Sequence, residues 1–125
     1  PLTRGHKAPW LAEHVAALRA DLRRPGHLRS LRRLMVELDH SGVAERAARV
    51  TAPTLVVIGE LDPDYGDPAG TLDQAVELMP DATGLLVPDA AHYPQHQAPE
   101  RVLEAVQELL ARIPTESERW SATRA

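Results

Sequence analysis

The chain has 125 residues, no cysteine and a formal net charge of −4. The lack of cysteine excludes disulfides, thiol catalysis and cysteine-ligated zinc, and the acidic balance argues against a nucleic-acid partner, which usually needs a basic surface. A hydrophobic content of 43% is enough for a folded core.

No apolar stretch of the sequence approaches the roughly 20 residues that a membrane-spanning helix needs. Residues 1–7 lack the apolar centre of a signal peptide. We therefore expect a cytoplasmic protein with no membrane partner.

Residues 1–49 carry a helical pattern, which predicts a helical, cap-like segment. Apolar residues recur there at spacings of three and four along two stretches, which Pro25-Gly26 separates. The first stripe is Leu11, Val15, Leu18 and Leu22, and the second is Leu28, Leu31, Met35 and Leu38. A short helix is predicted over residues 43–49.

Residues 50–113 have a different pattern, which predicts alternating strands and helices. The apolar, β-branched run 54–58 is typical of a strand covered on both faces. A helix over residues 69–79 follows, for which Asp67 is a suitable N-cap and Pro68 a suitable first residue. A second strand over 84–87 and a last helix over 99–113 complete the unit, and we expect residues 114–125 to be a disordered tail.

A strand, helix, strand, helix order predicts a βαβα unit with two parallel strands. Two parallel strands need cover on both faces and both edges, and the remaining sequence encodes no further strand. We therefore expect either a missing N-terminal half or self-association through the open sheet edges.

Both loops that follow the predicted strands carry ionisable residues. Asp62, Asp64 and Asp67 follow the first strand, and His92 and His96 follow the second. Because functional groups of open α/β sheets collect at the carboxyl ends of strands, a carboxylate from one loop can meet an imidazole from the other across about 5 Å of sheet spacing. Such a carboxylate would orient the imidazole and stabilise its protonated form.

The stretch from Val50 to Ile113 resembles the C-terminal segment of the α/β-hydrolase family. The run Pro-Thr-Leu-Val-Val-Ile-Gly-Glu-Leu-Asp from Pro53 to Asp62 is similar to the family strand that carries the triad acid. The run Asp-Ala-Ala-His-Tyr-Pro from Asp89, followed by the helix from Pro99, is similar to the histidine loop. The resemblance implies that Asp62 is the triad acid and His92 the triad base. Many relatives have glycine where this chain has Ala91.

The resemblance also implies a serine in a Gly-x-Ser-x-Gly turn earlier in the chain. The sequence has no such motif; its serines are Ser30, Ser41, Ser117 and Ser121. The nucleophile and the first strands of the family sheet are thus absent from these 125 residues.

A metal site is not expected. The carboxylates from Asp62 onward do not follow the calcium-loop pattern, because Gly66 takes a ligand position and Asp67 takes the position of the required glycine. His92 and His96 have a spacing of four, but Pro94 between them argues against one regular helix. We expect His96 to support the loop and no cofactor to be bound.

The sequence therefore predicts an α/β fold: the C-terminal part of an α/β-hydrolase sheet, with two parallel strands and flanking helices, preceded by cap-like helices. The predicted function is hydrolysis of an ester, amide or related small molecule, with Asp62 and His92 serving a serine encoded elsewhere. The alternative is an inactive remnant that acts as a binding or interaction module.

Overall fold

The computed structural model of the chain describes residues 2–114. Three helices come first, and strands alternate with helices afterwards. The elements are α1 (Leu11–Leu22), α2 (His27–Glu37), α3 (Val43–Ala47), β1 (Thr54–Gly59), α4 (Pro68–Leu78), β2 (Ala82–Val87), α5 (Pro94–Gln97) and α6 (Pro99–Arg112). The predicted tail lies outside the described residues, apart from Pro114.

The two strands form a parallel pair, which confirms the predicted α/β class. The register runs from Thr54 opposite Ala82 to Gly59 opposite Val87. β2 begins two residues earlier than the apolar pattern predicts, because Ala82 and Thr83 continue the pairing without contributing large apolar side chains. Each strand of this sheet keeps one edge that no other described strand covers.

The beginning of α4 follows from local chemistry, as predicted. The Asp67 carboxylate accepts a hydrogen bond of 3.0 Å from the Gly70 backbone N–H. Pro68 takes the first helical position, where its missing N–H costs nothing. The helix starts and ends one residue before the predicted bounds.

The core lies between α4 and the sheet, and continues into the loop after β2. Its most buried apolar residues include Ile58, Leu72, Val87, Ala90 and Ala91. Gly84 lets α4 approach closely, since a β-carbon there would stand 3.0 Å from the Leu72 side chain. The absence of a side chain at Gly84 therefore sets the spacing between α4 and β2 at this point.

One helix of the structure was not predicted. The sequence pattern assigns residues 88–98 to a loop, whereas α5 forms a single turn within it. Pro94 stands at its first position, which suits proline, and four residues are too few to show an apolar period. The prediction of an unbroken loop is therefore wrong at this point.

The helices before β1 differ in how far they are covered. α1 half-buries Leu11, Val15 and Leu22, whereas the apolar side chains of α2 are exposed: Leu28, Leu31, Leu34, Met35 and Val36. That the helices before β1 form a cap over an active site stays a prediction. Among the described residues, no helix combines the length and apolar character that crossing a bilayer requires.

Candidate active site

The loop after β1 turns sharply and buries a carboxylate. The Asp62 backbone N–H donates to the Gly59 carbonyl at 3.1 Å. The Asp62 side chain is only 6% exposed, and its Oδ1 accepts the Asp64 backbone N–H at 3.0 Å. A buried carboxylate needs such donors to offset its lost hydration.

The loop after β2 is held against the first loop by backbone hydrogen bonds. The Leu61 N–H donates to the Ala90 carbonyl at 2.8 Å, and the Glu60 N–H donates to Val87 at 2.9 Å. Ala90 and Ala91 are fully buried. Asp89 takes the left-handed backbone conformation, with φ of 52°, whereas Ala91 does not. Alanine therefore fits at position 91, where many relatives of the predicted family have glycine.

These two loops bring Asp62 and His92 into hydrogen-bond contact. The His92 Nδ1 lies 3.1 Å from Asp62 Oδ2 and 3.2 Å from Oδ1. An ionised carboxylate can only accept, so this contact assigns the hydrogen of the neutral imidazole to Nδ1. Nε2 then carries a lone pair, and it makes no hydrogen bond within residues 2–114. With 36% of its side chain exposed, His92 can reach a reacting group.

A second carboxylate approaches the same nitrogen. Asp64 Oδ2 lies 3.3 Å from His92 Nδ1, although the Asp64 side chain is 54% exposed. Solvent weakens that contact more than the contact with buried Asp62. The ligand atoms of Asp62, Asp64 and His92 all lie within 4.8 Å of one another, which is close enough to share a cation.

His96 belongs to the surroundings of the site. Its ring packs edge-on against Trp10 of the segment before α1, with ring centroids 4.7 Å apart. Tyr93 in turn packs edge-on against His92 at 5.1 Å. Supporting aromatic contacts thus run from the Asp62–His92 pair towards α1.

Gln97 is a site residue that the sequence pattern did not reveal. It is 5% exposed, and its Oε1 accepts the Ala91 N–H at 2.9 Å. Its Nε2 donates to the carbonyls of Arg4 and His6, at 2.8 and 2.6 Å. Those partners are more than 90 positions away in sequence, so no local motif could indicate them.

A groove of about 490 Å³ lies between α1 and the histidine loop. Its walls are mainly apolar and aromatic; the lining includes Leu2, Trp10, Leu11, Val15, Leu18, Tyr93 and His96. Volumes of this order are typical of small-molecule sites. α2 contributes no residue to this lining.

The described serines lie in other contexts. Ser30 is part of α2, and Ser41 donates its hydroxyl to Asp39 at 2.8 Å in the turn before α3. Ser117 and Ser121 lie outside the described residues. Neither described serine is a hydrogen-bond partner of His92.

The solved structures that are similar to this chain include two enzymes. One is a thermophilic esterase from Thermogutta terrifontis with malate bound: 29% identity, a TM-score of 0.51, and coverage of 58% of this chain and 26% of the esterase. The other is a serine hydrolase involved in carbazole degradation, the CarC enzyme: 24% identity, a TM-score of 0.57, and coverage of 70% of this chain and 33% of that enzyme.

The chain thus spans about a quarter to a third of the length of these enzymes. Both have the α/β-hydrolase fold, so the similarity supports the predicted fold and a hydrolase-like architecture. No protein-family model matches the chain, and no curated protein matches it significantly.

Proposed function

We propose that this chain supplies the acid and the general base of a serine-hydrolase triad that acts on an ester, an amide or a related small molecule. The contact between the Asp62 carboxylate and His92 Nδ1 is the observation that carries the proposal. It comes from two parallel strand ends, and it leaves Nε2 as the proton acceptor.

In this mechanism, Nε2 of His92 takes the proton of the serine hydroxyl while the serine oxygen bonds to the substrate carbonyl carbon. Asp62 stabilises the resulting imidazolium. The imidazolium then passes its proton to the leaving alcohol or amine as the carbonyl–leaving-group bond breaks. A water molecule, deprotonated by His92 in the same way, then bonds to the acyl carbon. The bond between that carbon and the serine oxygen breaks, the imidazolium returns its proton to the serine oxygen, and the acid product leaves.

The serine belongs, in this proposal, to the part of the hydrolase fold that carries the rest of the sheet and lies outside these 125 residues. The coverage of about a quarter to a third of the similar enzymes supports this assignment, as do the two uncovered edges of the sheet. Residues 50–113 would be the C-terminal βαβα part of the shared core, and residues 1–49 the cap-like segment.

The groove beside α1 is the proposed substrate pocket. Leu11, Val15 and Leu18 offer it an apolar wall. Tyr93 both lines the groove and contacts the His92 ring. A substrate whose apolar part occupies the groove would therefore hold its reacting group near His92.

A serine-directed phosphonate probe tests the proposal. The chain would be purified together with its associated polypeptides and treated with the probe. We expect the label on a serine outside residues 1–125, and we expect His92→Ala to abolish that labelling. The exposed His40 provides a matched control, since His40→Ala should leave labelling unchanged. Labelling of a serine within residues 1–125 would contradict the assignment of the nucleophile to sequence outside them.

The second candidate is an inactive remnant that binds a partner through its sheet edges. The missing Gly-x-Ser-x-Gly motif favours it, because such a remnant needs no nucleophile. It predicts stable partners without any labelled serine, so the same experiment separates the two functions.

A further inference from the structure

We infer that Gln97 is a positioning residue, which holds the backbone beside His92 so that the imidazole faces Asp62. This inference rests on the proposed function for its catalytic meaning. The hydrogen bonds of Gln97 that support the inference all lie within residues 2–114 and do not depend on the proposed function. Gln97 does not touch the reacting atoms in this scheme; it acts through the loop.

The hydrogen-bond partners define how the Gln97 side chain is oriented. The Ala91 backbone N–H can only donate, so the atom 2.9 Å from it is the amide oxygen. The Arg4 and His6 carbonyls can only accept, so the atom between them is the amide nitrogen. One buried side chain thus uses an acceptor and two donor hydrogens at once.

The hydrogen-bond partners of Gln97 lie in two backbone segments next to His92: the histidine loop and residues 2–6. Ala91 directly precedes the histidine, and the His92 N–H donates to the Leu2 carbonyl at 3.0 Å. The His6 N–H also donates to the Asp89 carbonyl at 3.0 Å. Residues 2–6 therefore lie along the histidine loop, and Gln97 joins the two segments from the side.

These two segments approach each other closely at Gly5. A β-carbon at Gly5, whose φ is 83°, would collide with the Asp89 carbonyl oxygen. If the buried Gln97 side chain lost its donors, the Arg4 and His6 carbonyls would lose this partner in a partly buried contact, which is costly. The relaxation available is a shift of residues 2–6 or of the loop, and either shift moves His92.

The test uses the 125-residue chain and measures the His92 tautomers by long-range ¹H–¹⁵N NMR. We expect the wild-type ring to carry its hydrogen mainly on Nδ1. In Gln97→Met, the ratio of the Nδ1–H tautomer to the Nε2–H tautomer should fall by about threefold or more, since the net contribution of a hydrogen bond corresponds to a change of this size. Gln95→Met is the matched control, because Gln95 is an exposed glutamine of the same short helix.

Gln97→Glu keeps the shape of the side chain but replaces the donor with a carboxylate that faces two carbonyls. At neutral pH it should lower the ratio of the Nδ1–H to the Nε2–H tautomer at least as far as Gln97→Met does.

A wild-type ratio in folded Gln97→Glu would overturn the inference, because packing alone would then suffice to position the His92 ring. Faster amide exchange at Ala91 with an unchanged His92 ratio would also overturn it, because Gln97 would then stabilise the loop without positioning the ring. Neither result depends on the labelling of a serine outside residues 1–125, so failure of this inference and failure of the proposed function are distinguishable.

Discussion

Gly59 lies directly against Ala91, so that a β-carbon at position 59 would collide with the Ala91 carbonyl oxygen. Gly59 is the last residue of β1, three positions before Asp62, and Ala91 precedes His92. Asp62 and His92 are therefore placed by backbone contact between their loops, in addition to their own hydrogen bond.

Gly59→Ala should lower the free energy of unfolding by about 1–3 kcal/mol, because a rigid backbone carbonyl must move to admit the methyl group. Urea denaturation measures the change. Gly66→Ala is the matched control: no atom lies within 4 Å of a β-carbon at that position, so stability should stay constant or rise slightly. Equal stability of Gly59→Ala and the wild type would show that the loops do not interlock as described.

Asp62→Asn should change the tautomer of His92. An asparagine can donate its amide to Nδ1, which favours the imidazole hydrogen on Nε2 and removes the proton acceptor. The tautomer ratio from long-range NMR should therefore reverse. Asp64→Asn, which alters the more exposed of the two carboxylates, should leave Nδ1–H in the majority. If Asp64→Asn reverses the ratio and Asp62→Asn does not, Asp64 is the orienting acid.

The features that could be predicted from the sequence are those that depend on residues close to one another in the chain. The run 54–58 predicted β1 because β-branched residues between Pro53 and Gly59 suit a covered strand, and Asp67 with Pro68 predicted the start of α4. The order of the elements then predicted the parallel pair, and so the approach of the loop carrying Asp62 to the loop carrying His92.

Features that depend on distant residues were not predictable in this way. Gln97 binds carbonyls of residues 4 and 6, and backbone carbonyls have no sequence signature. The reach of Asp64 towards His92 depends on the turn that Asp62 makes with Gly59. The sequence places Asp64 in the loop after β1, but it does not predict that both Asp62 and Asp64 contact His92.

The groove should bind a small apolar molecule through α1. Val15→Asp would place a charge in the apolar wall, which should weaken binding of an uncharged aryl ester such as phenyl butyrate by about tenfold or more. Saturation-transfer NMR on the chain measures this binding. Ala16→Asp adds the same charge to an exposed position of α1 and should have little effect. Equal binding by both variants would show that the ligand does not bind against the wall formed by α1.

The isolated chain should self-associate, because β1 and β2 each keep an edge that no other described strand covers. Unpaired backbone groups at such edges pair readily with another strand. Sedimentation equilibrium should show species larger than a monomer, and the melting temperature should rise with protein concentration.

The exposed apolar face of α2 is the competing cause of self-association. We expect association to persist when Leu31 and Leu34 are both replaced by Gln, since the strand edges remain. Loss of association in that variant would assign it to α2, whereas a wild-type monomer with a concentration-independent melt would contradict the prediction altogether.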